Sequence, residues 1–91
     1  MADAWVYMLL CADGSLYTGI AVDVARRLAQ HNGEKPNGAR YTSARRPVRL
    51  VYEAKFPSRS AALKEEIRIK RLTRDQKRAL VAAFAEGPRA S

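Results

Sequence analysis

The sequence predicts a mixed α/β (α+β) domain, a small three-stranded antiparallel sheet flanked by helices in the order β-β-α-β-α-α. Three observations predict it. Two short apolar runs, Trp5 to Cys11 and Leu16 to Ile20, flank a turn-forming stretch built around Asp13-Gly14. Apolar and polar residues alternate after Pro47, with Val48, Leu50, Tyr52, Ala54 and Phe56 on one side and Arg49, Glu53 and Lys55 on the other, the period of a half-covered strand. The remaining apolar residues recur at helical spacing behind residues that cap helices.

The first two runs form a hairpin, and its turn decides which side chains meet. A two-residue loop at Asp13-Gly14 pairs Leu10 with Tyr17 and sends Tyr7 and Tyr17 to opposite faces. A three-residue loop, Ala12-Asp13-Gly14 with Gly14 left-handed, pairs Leu9 with Tyr17 and Tyr7 with Gly19, so both phenols share a face. Gly19 then leaves room opposite Tyr7 for close approach by a substrate. Asp23 caps a helix from Val24 to about Gln30, with Val24 and Leu28 as its buried stripe and "HNG" as its end.

From Gly33 to Arg46 runs a polar connection, "GEKPNGARYTSARR", long enough to suggest a functional loop. The third strand follows. Ser58 or Ser60 caps a second helix to about Leu72, and Thr73 with Gln76 makes a capping box for a third, which Gly87-Pro88 stops. The 91 residues suit one core, so residues 1–86 read as one domain and 87–91 as a loose tail.

Composition narrows the function. With 17 Lys plus Arg against 9 Asp plus Glu, the net charge of +8 favours polyanionic partners. DNA leads, RNA follows, and an anionic membrane surface comes after both. The lone Cys11 and lone His31 exclude an internal disulfide and a four-ligand Cys/His zinc site. No apolar run is long enough to span a bilayer and no leader pattern opens the chain, which predicts a cytoplasmic protein. "GEKPNGAR" spaces its glycines like a phosphate loop but lacks the following Lys-Ser/Thr, and no nucleophile turn accompanies the histidine.

Several residues remain as candidates for chemistry. Ala62, Leu63, Ile67, Ile69 and Leu72 span one broad face of the second helix with Glu66 near its middle. A carboxylate there needs a partner: either Lys70, one turn on, or a metal ion or active-site pocket. Arg27 and His31, four residues apart, share the polar side of the first helix. Each is unremarkable on a solvated surface. In a site, the arginine would stabilise a phosphate whose charge grows during attack while the histidine holds or relays a proton. Lys35, Arg40, Arg45 and Arg46 in the long connection are candidate phosphate contacts, with Gly19 beside them in the nucleic-acid path.

These residues together resemble the GIY-YIG nuclease superfamily, most closely its small stand-alone bacterial members, from Trp5 to about Val81. "WVY" resembles the first motif, with Tyr7 at its tyrosine, and "YTG" the second, with Tyr17 and Gly19. "DVARRLAQHN" is similar to the family helix that carries Arg27 and His31. "EEIRIKRLTRDQKRALV" is similar to the closing segment with Glu66 at the metal-binding glutamate, and "YTSARRPVRLVY" resembles a stretch of the small members. "WVY" departs from the first motif in lacking its glycine and isoleucine, which are backbone and core features.

The resemblance implies hydrolysis of DNA phosphodiesters with one divalent cation, Mg2+ or another such as Mn2+, held by Glu66. It also implies that Arg27 steadies the phosphorane-like charge and that Tyr7 takes or positions the proton of the attacking water, helped by Tyr17 and His31. Structure-directed cutting in DNA repair or recombination belongs to the same implication. The competing readings are a nucleic-acid-binding module of the same fold with little turnover, and an adaptor that docks on a protein partner.

Overall fold

The computed structural model describes residues 3–36 and 38–87. Seven elements follow in order: β1 (Ala4–Leu10), β2 (Leu16–Ala21), α1 (Val24–His31), α2 (Arg40–Ser43), β3 (Arg49–Phe56), α3 (Arg59–Lys70) and α4 (Arg74–Glu86). The sheet is antiparallel throughout and ordered β2-β1-β3. The tail expected at 87–91 falls, beyond Gly87, outside the described residues.

β1 is the central strand and serves two cores. Ala4, Val6 and Met8 face α3 and α4, packing with Ala62, Ile69, Leu72, Leu80 and Val81. Tyr7, Leu9 and Cys11 face the other way, toward Val24, Leu28 and Val48. A strand covered on both faces has no polar side to show, which is why Trp5 to Cys11 is a continuous apolar run.

The hairpin takes the three-residue form. Cys11 N donates to Ser15 O at 2.9 Å and Gly14 N to Cys11 O at 2.9 Å, with Gly14 at φ 86°, a conformation that favours glycine. Leu9 accordingly pairs with Tyr17 and Tyr7 with Gly19. Asp23 accepts from Arg26 N to cap α1, Ser58 accepts from Ala61 N to cap α3, and the Thr73/Gln76 capping box opens α4.

β3 departs from plain alternation. Met8 pairs with Tyr52 but Leu9 with Leu50, so Val51 is an extra residue bulged out of the ladder. The side-chain parity reverses there. Val48 and Leu50 join the Tyr7 core, whereas Val51, Tyr52 and Phe56 join the Val6 core, correcting the single face expected for Val48 through Phe56. The expected apolar face of α3 is also narrower: Ala62 and Ile69 are buried, but Leu63 and Ile67 are exposed, because only residues in line with 62 and 69 meet the sheet.

The 33–46 connection is tied down at several points. Asn32 Nδ2 donates to Val48 O at 2.8 Å while Val48 N donates to Asn32 Oδ1 at 2.7 Å, joining the end of α1 to the start of β3. Arg46 Nε donates to the His31 carbonyl at 2.6 Å. A short helix, α2, lies within the connection. Its N-cap residue, Ala39, makes no side-chain capping bond.

Candidate active site

Four of the five candidate catalytic residues gather around one hydroxyl. Tyr7, 1% exposed, places its Oη 2.8 Å from His31 Nε2. Hydrogen bonding and charge from Arg27 act on the same phenol. Tyr17 closes the group, its ring centroid 6.4 Å from that of Tyr7 and 5.0 Å from that of His31. The hairpin register carries both phenols to one face, and α1 brings Arg27 and His31 down from above them.

Gly19 has a different role from the one expected. A Cβ built there would lie 2.7 Å from Tyr7 Oη and 3.2 Å from Tyr17 Cε2. The space opposite Tyr7 is therefore filled by Tyr7's own ring, and glycine is needed to let that ring lie flat across β2.

The electrostatics of the pair are those of two neutral groups at rest. Burial, then the neighbouring Tyr17, push the Tyr7 phenol up to about 12, with Arg27 pulling it down and the Glu66 charge raising it. Burial, then the Arg27 and Arg46 guanidinium groups, push His31 down to about 4. Proton transfer at this site thus requires a change in local charge, which a phosphate and a cation would bring.

Glu66 arrives from α3, between the buried Ala62 and Ile69. Its side chain is 16% exposed and pairs with Lys70 Nζ at 3.3 Å, the helical partner weighed against a metal. The two readings are compatible. An ammonium held against a largely buried carboxylate occupies the place of a cation, and a hard oxygen donor suits magnesium or manganese. Among the described residues no group of three or more His, Cys, Asp or Glu forms a ready-made cage, so phosphate and water oxygens would complete such a shell. Glu53, read from sequence as solvent-facing, lies across from Tyr7 in the register and so on the Tyr7 face.

The candidate phosphate contacts separate into two kinds. Lys35 and Arg40 are exposed, and among the described residues neither makes an ion pair. Arg45 pairs with Asp13 at 3.0 Å, donates to Tyr41 O at 2.8 Å and lies 4.0 Å over the Tyr41 ring. Arg46 is committed to the end of α1, and its charge is one of those that lower the His31 pKa.

The sequence reading missed Thr42. It is fully buried, its Oγ1 lies 2.7 Å from His31 Nδ1, and the same hydroxyl donates to Ala39 O at 3.0 Å. Nothing in "RYTSARR" distinguishes it from an exposed loop threonine. Only the α2 turn buries it.

Comparison with known proteins gives the same outline. Residues 3–79 match the model of the GIY-YIG catalytic domain. A UPF0213 protein of Desulfotalea psychrophila is 52% identical over 85 residues, covering 92% of this chain and 76% of its own. A UPF0213 protein of Cupriavidus pinatubonensis is 50% identical over 82 residues, covering 90% and 89%. The solution structure of a UPF0213 protein from Bacillus halodurans superposes with a TM-score of 0.58 at 44% identity, covering 94% of this chain and 88% of that one. That of a protein from E. faecalis gives 0.63 at 39%, covering 100% and 95%.

Proposed function

Since this chain belongs to the GIY-YIG catalytic domain family, a family of nucleases, we propose that it is a divalent-metal-dependent endonuclease that hydrolyses DNA phosphodiester bonds. The observation that carries the reading is the convergence of Tyr7, Tyr17, Arg27 and His31 on one buried phenol, with the Glu66 charge felt at the same atom. A protein that only bound nucleic acid would need basic surface, not a desolvated phenol hydrogen-bonded to a neutral imidazole.

A magnesium or manganese ion bound at Glu66 would supply Lewis-acid polarisation of the scissile phosphate and make an attacking water more acidic. Arg27 stabilises the negative charge that develops on the phosphate. Tyr7, flanked by that guanidinium, receives the proton of the attacking water, and Tyr17 excludes solvent and orients the phenol. Lys35 and Arg40 hold the nucleic-acid backbone through phosphate contacts, with Arg45 at the rim.

On the other face, a cavity of about 700 Å³ between α4 and the hairpin end is lined by Arg49, Arg74, Lys77 and Arg78 above an aliphatic floor of Leu16, Val51 and Val81. Among the described residues those four cations make no ion pair. This second basic surface supports engagement of branched or flapped DNA, as in repair or recombination, more than of a plain duplex; RNA is the second polyanion.

The decisive experiment measures nicking of branched, flapped and plain duplex DNA with magnesium or with EDTA, for the wild type and Glu66→Ala. Metal-dependent scission by the wild type, lost in the variant, is the expected result. Binding without scission on every substrate would instead establish a nucleic-acid-binding module.

A further inference from the structure

We propose that Thr42 fixes His31 in the tautomer that carries its hydrogen on Nδ1, so that the Tyr7 hydroxyl proton is directed at a bare Nε2. Thr42 is then a positioning residue for the reaction proposed above, and its catalytic consequence rests on that reading.

Both ends of the hydrogen-bond chain require this arrangement. At one end, Thr42 Oγ1 lies 3.0 Å from the Ala39 carbonyl, which can only accept. The single Thr42 hydrogen goes there, leaving Oγ1 to accept from His31 Nδ1–H at 2.7 Å. At the other end, the buried Tyr7 hydroxyl receives a hydrogen bond from Arg27 and needs an acceptor for its own hydrogen. Among the described residues His31 Nε2, at 2.8 Å, is the acceptor within reach. The opposite tautomer would place the Thr42 oxygen against a carbonyl oxygen with no hydrogen between them and leave the Tyr7 hydrogen unpaired, both losses falling on fully buried side chains. Because the ring is held neutral at ordinary pH, it has one N–H to place, and both ends place it on Nδ1.

The chemical consequence is a directed path. As the attacking water's oxygen bonds to phosphorus, its proton forms a new O–H bond with Tyr7 Oη while the original Tyr7 O–H bond breaks toward His31 Nε2. The P–O bond to the leaving sugar oxygen breaks, and that oxygen takes a proton from solvent. His31 becomes an imidazolium whose Nδ1–H remains bonded to Thr42, and it returns its proton to solvent after scission. Tyr7 acts as base without becoming a free phenolate, which its burial opposes.

The test reads the tautomer directly from the imidazole nitrogens of ¹⁵N-labelled protein by long-range ¹H–¹⁵N correlation at neutral pH, without substrate. The wild type and Thr42→Ser are expected to show the Nδ1–H pattern. Thr42→Val, close in shape but without the hydroxyl, is expected to shift population to Nε2–H and to lower kcat roughly 100-fold at unchanged KM, the scale of one general-base contribution, with Thr42→Ser retaining activity. An Nε2–H pattern in the wild type overturns the proposal even if Thr42→Val does not fold. So does a Thr42→Val protein that folds and keeps the wild-type spectrum. Because the spectrum needs no turnover, absence of scission on any nucleic acid would count against the nuclease reading alone.

Discussion

The two faces of β1 use alternate residues of one strand for opposite purposes. Toward α3 and α4, Val6 and Met8 sit in a hydrophobic cluster with Ala62, Ile69, Leu72, Leu80 and Val81, and that contact is dispersion and dehydration. Toward α1, Tyr7 is buried just as deeply but is joined to His31, Thr42 and Ala39 in a line of hydrogen bonds. Depth of burial therefore does not separate the apolar core residues from the proposed catalytic one. What separates them is whether each buried polar atom has a fixed partner, and among the described residues no buried side-chain nitrogen or oxygen lacks one.

The contrast can be broken most sharply by substitutions one residue apart. Tyr7→Phe, or Glu66→Ala on the adjoining helix, is expected to lower metal-dependent nicking by about 10³-fold, equivalent to about 4 kcal/mol of barrier. The fold should persist. Single-turnover nicking together with a urea unfolding curve checks both halves, and equal losses in rate and in stability would dissolve the distinction between the faces.

Met8→Ala, on the apolar face, should do the reverse. The expected loss is about 3 kcal/mol of stability from the cavity it leaves, seen as a lower urea midpoint, with near-normal turnover by the protein that remains folded. A slower rate at saturating substrate would mean that the two cores are mechanically coupled through β1.

Acid should probe the polar face through His31. The folded state holds His31 down to about 4, against about 6.5 when unfolded, so between those values the unfolded chain binds the extra proton. Stability from this group is whole above pH 6.5 and declines as pH falls toward 4, with a slope of at most about 1.4 kcal/mol per pH unit. Urea midpoints between pH 7 and pH 4 should fall more steeply for the wild type than for His31→Gln. Parallel curves would show that His31 is not the group responsible.

The smallest effect belongs to residues on neither core. Arg40 is exposed and belongs to neither core. Arg40→Ala should weaken DNA binding and reduce the salt slope by about 1, leaving the rate of the bound complex unchanged. Fluorescence anisotropy across a salt series measures it, and an unchanged slope would remove Arg40 from the DNA path.

What the sequence made legible follows from how local each signal is. The Asp23 cap, the Thr73/Gln76 box and the Gly14 turn act over three or four residues, and the turn narrows the fate of Tyr7 and Tyr17 to two registers, of which the structure takes the one that joins them. Arg27 and His31 sit one helical turn apart, so their shared side was readable, but not its environment: His31, expected on the polar side of the helix, is fully buried against Tyr7 and Thr42. Thr42 was not readable, because only the α2 turn carries it against His31, a contact 11 residues apart in the chain. The bulge at Val51 has no local marker either, since valine suits a regular strand as well as an irregular one. Leu63 and Ile67 were assigned inward because hydropathy fixes which residues are apolar without saying how wide a face the sheet covers.

The extra residue in β3 makes the strand unusually sensitive to its length. Removing Val51 itself would leave an even repeat with Leu50 still opposite Leu9, Tyr52 opposite Met8 and Glu53 opposite Tyr7, whereas removing a residue on either side of the bulge would turn the residues beyond it to the opposite face. A one-residue deletion elsewhere in this strand should thus be far more harmful than loss of Val51, and insertions or losses among related chains should gather at the bulge, in the hairpin tip or ahead of α2.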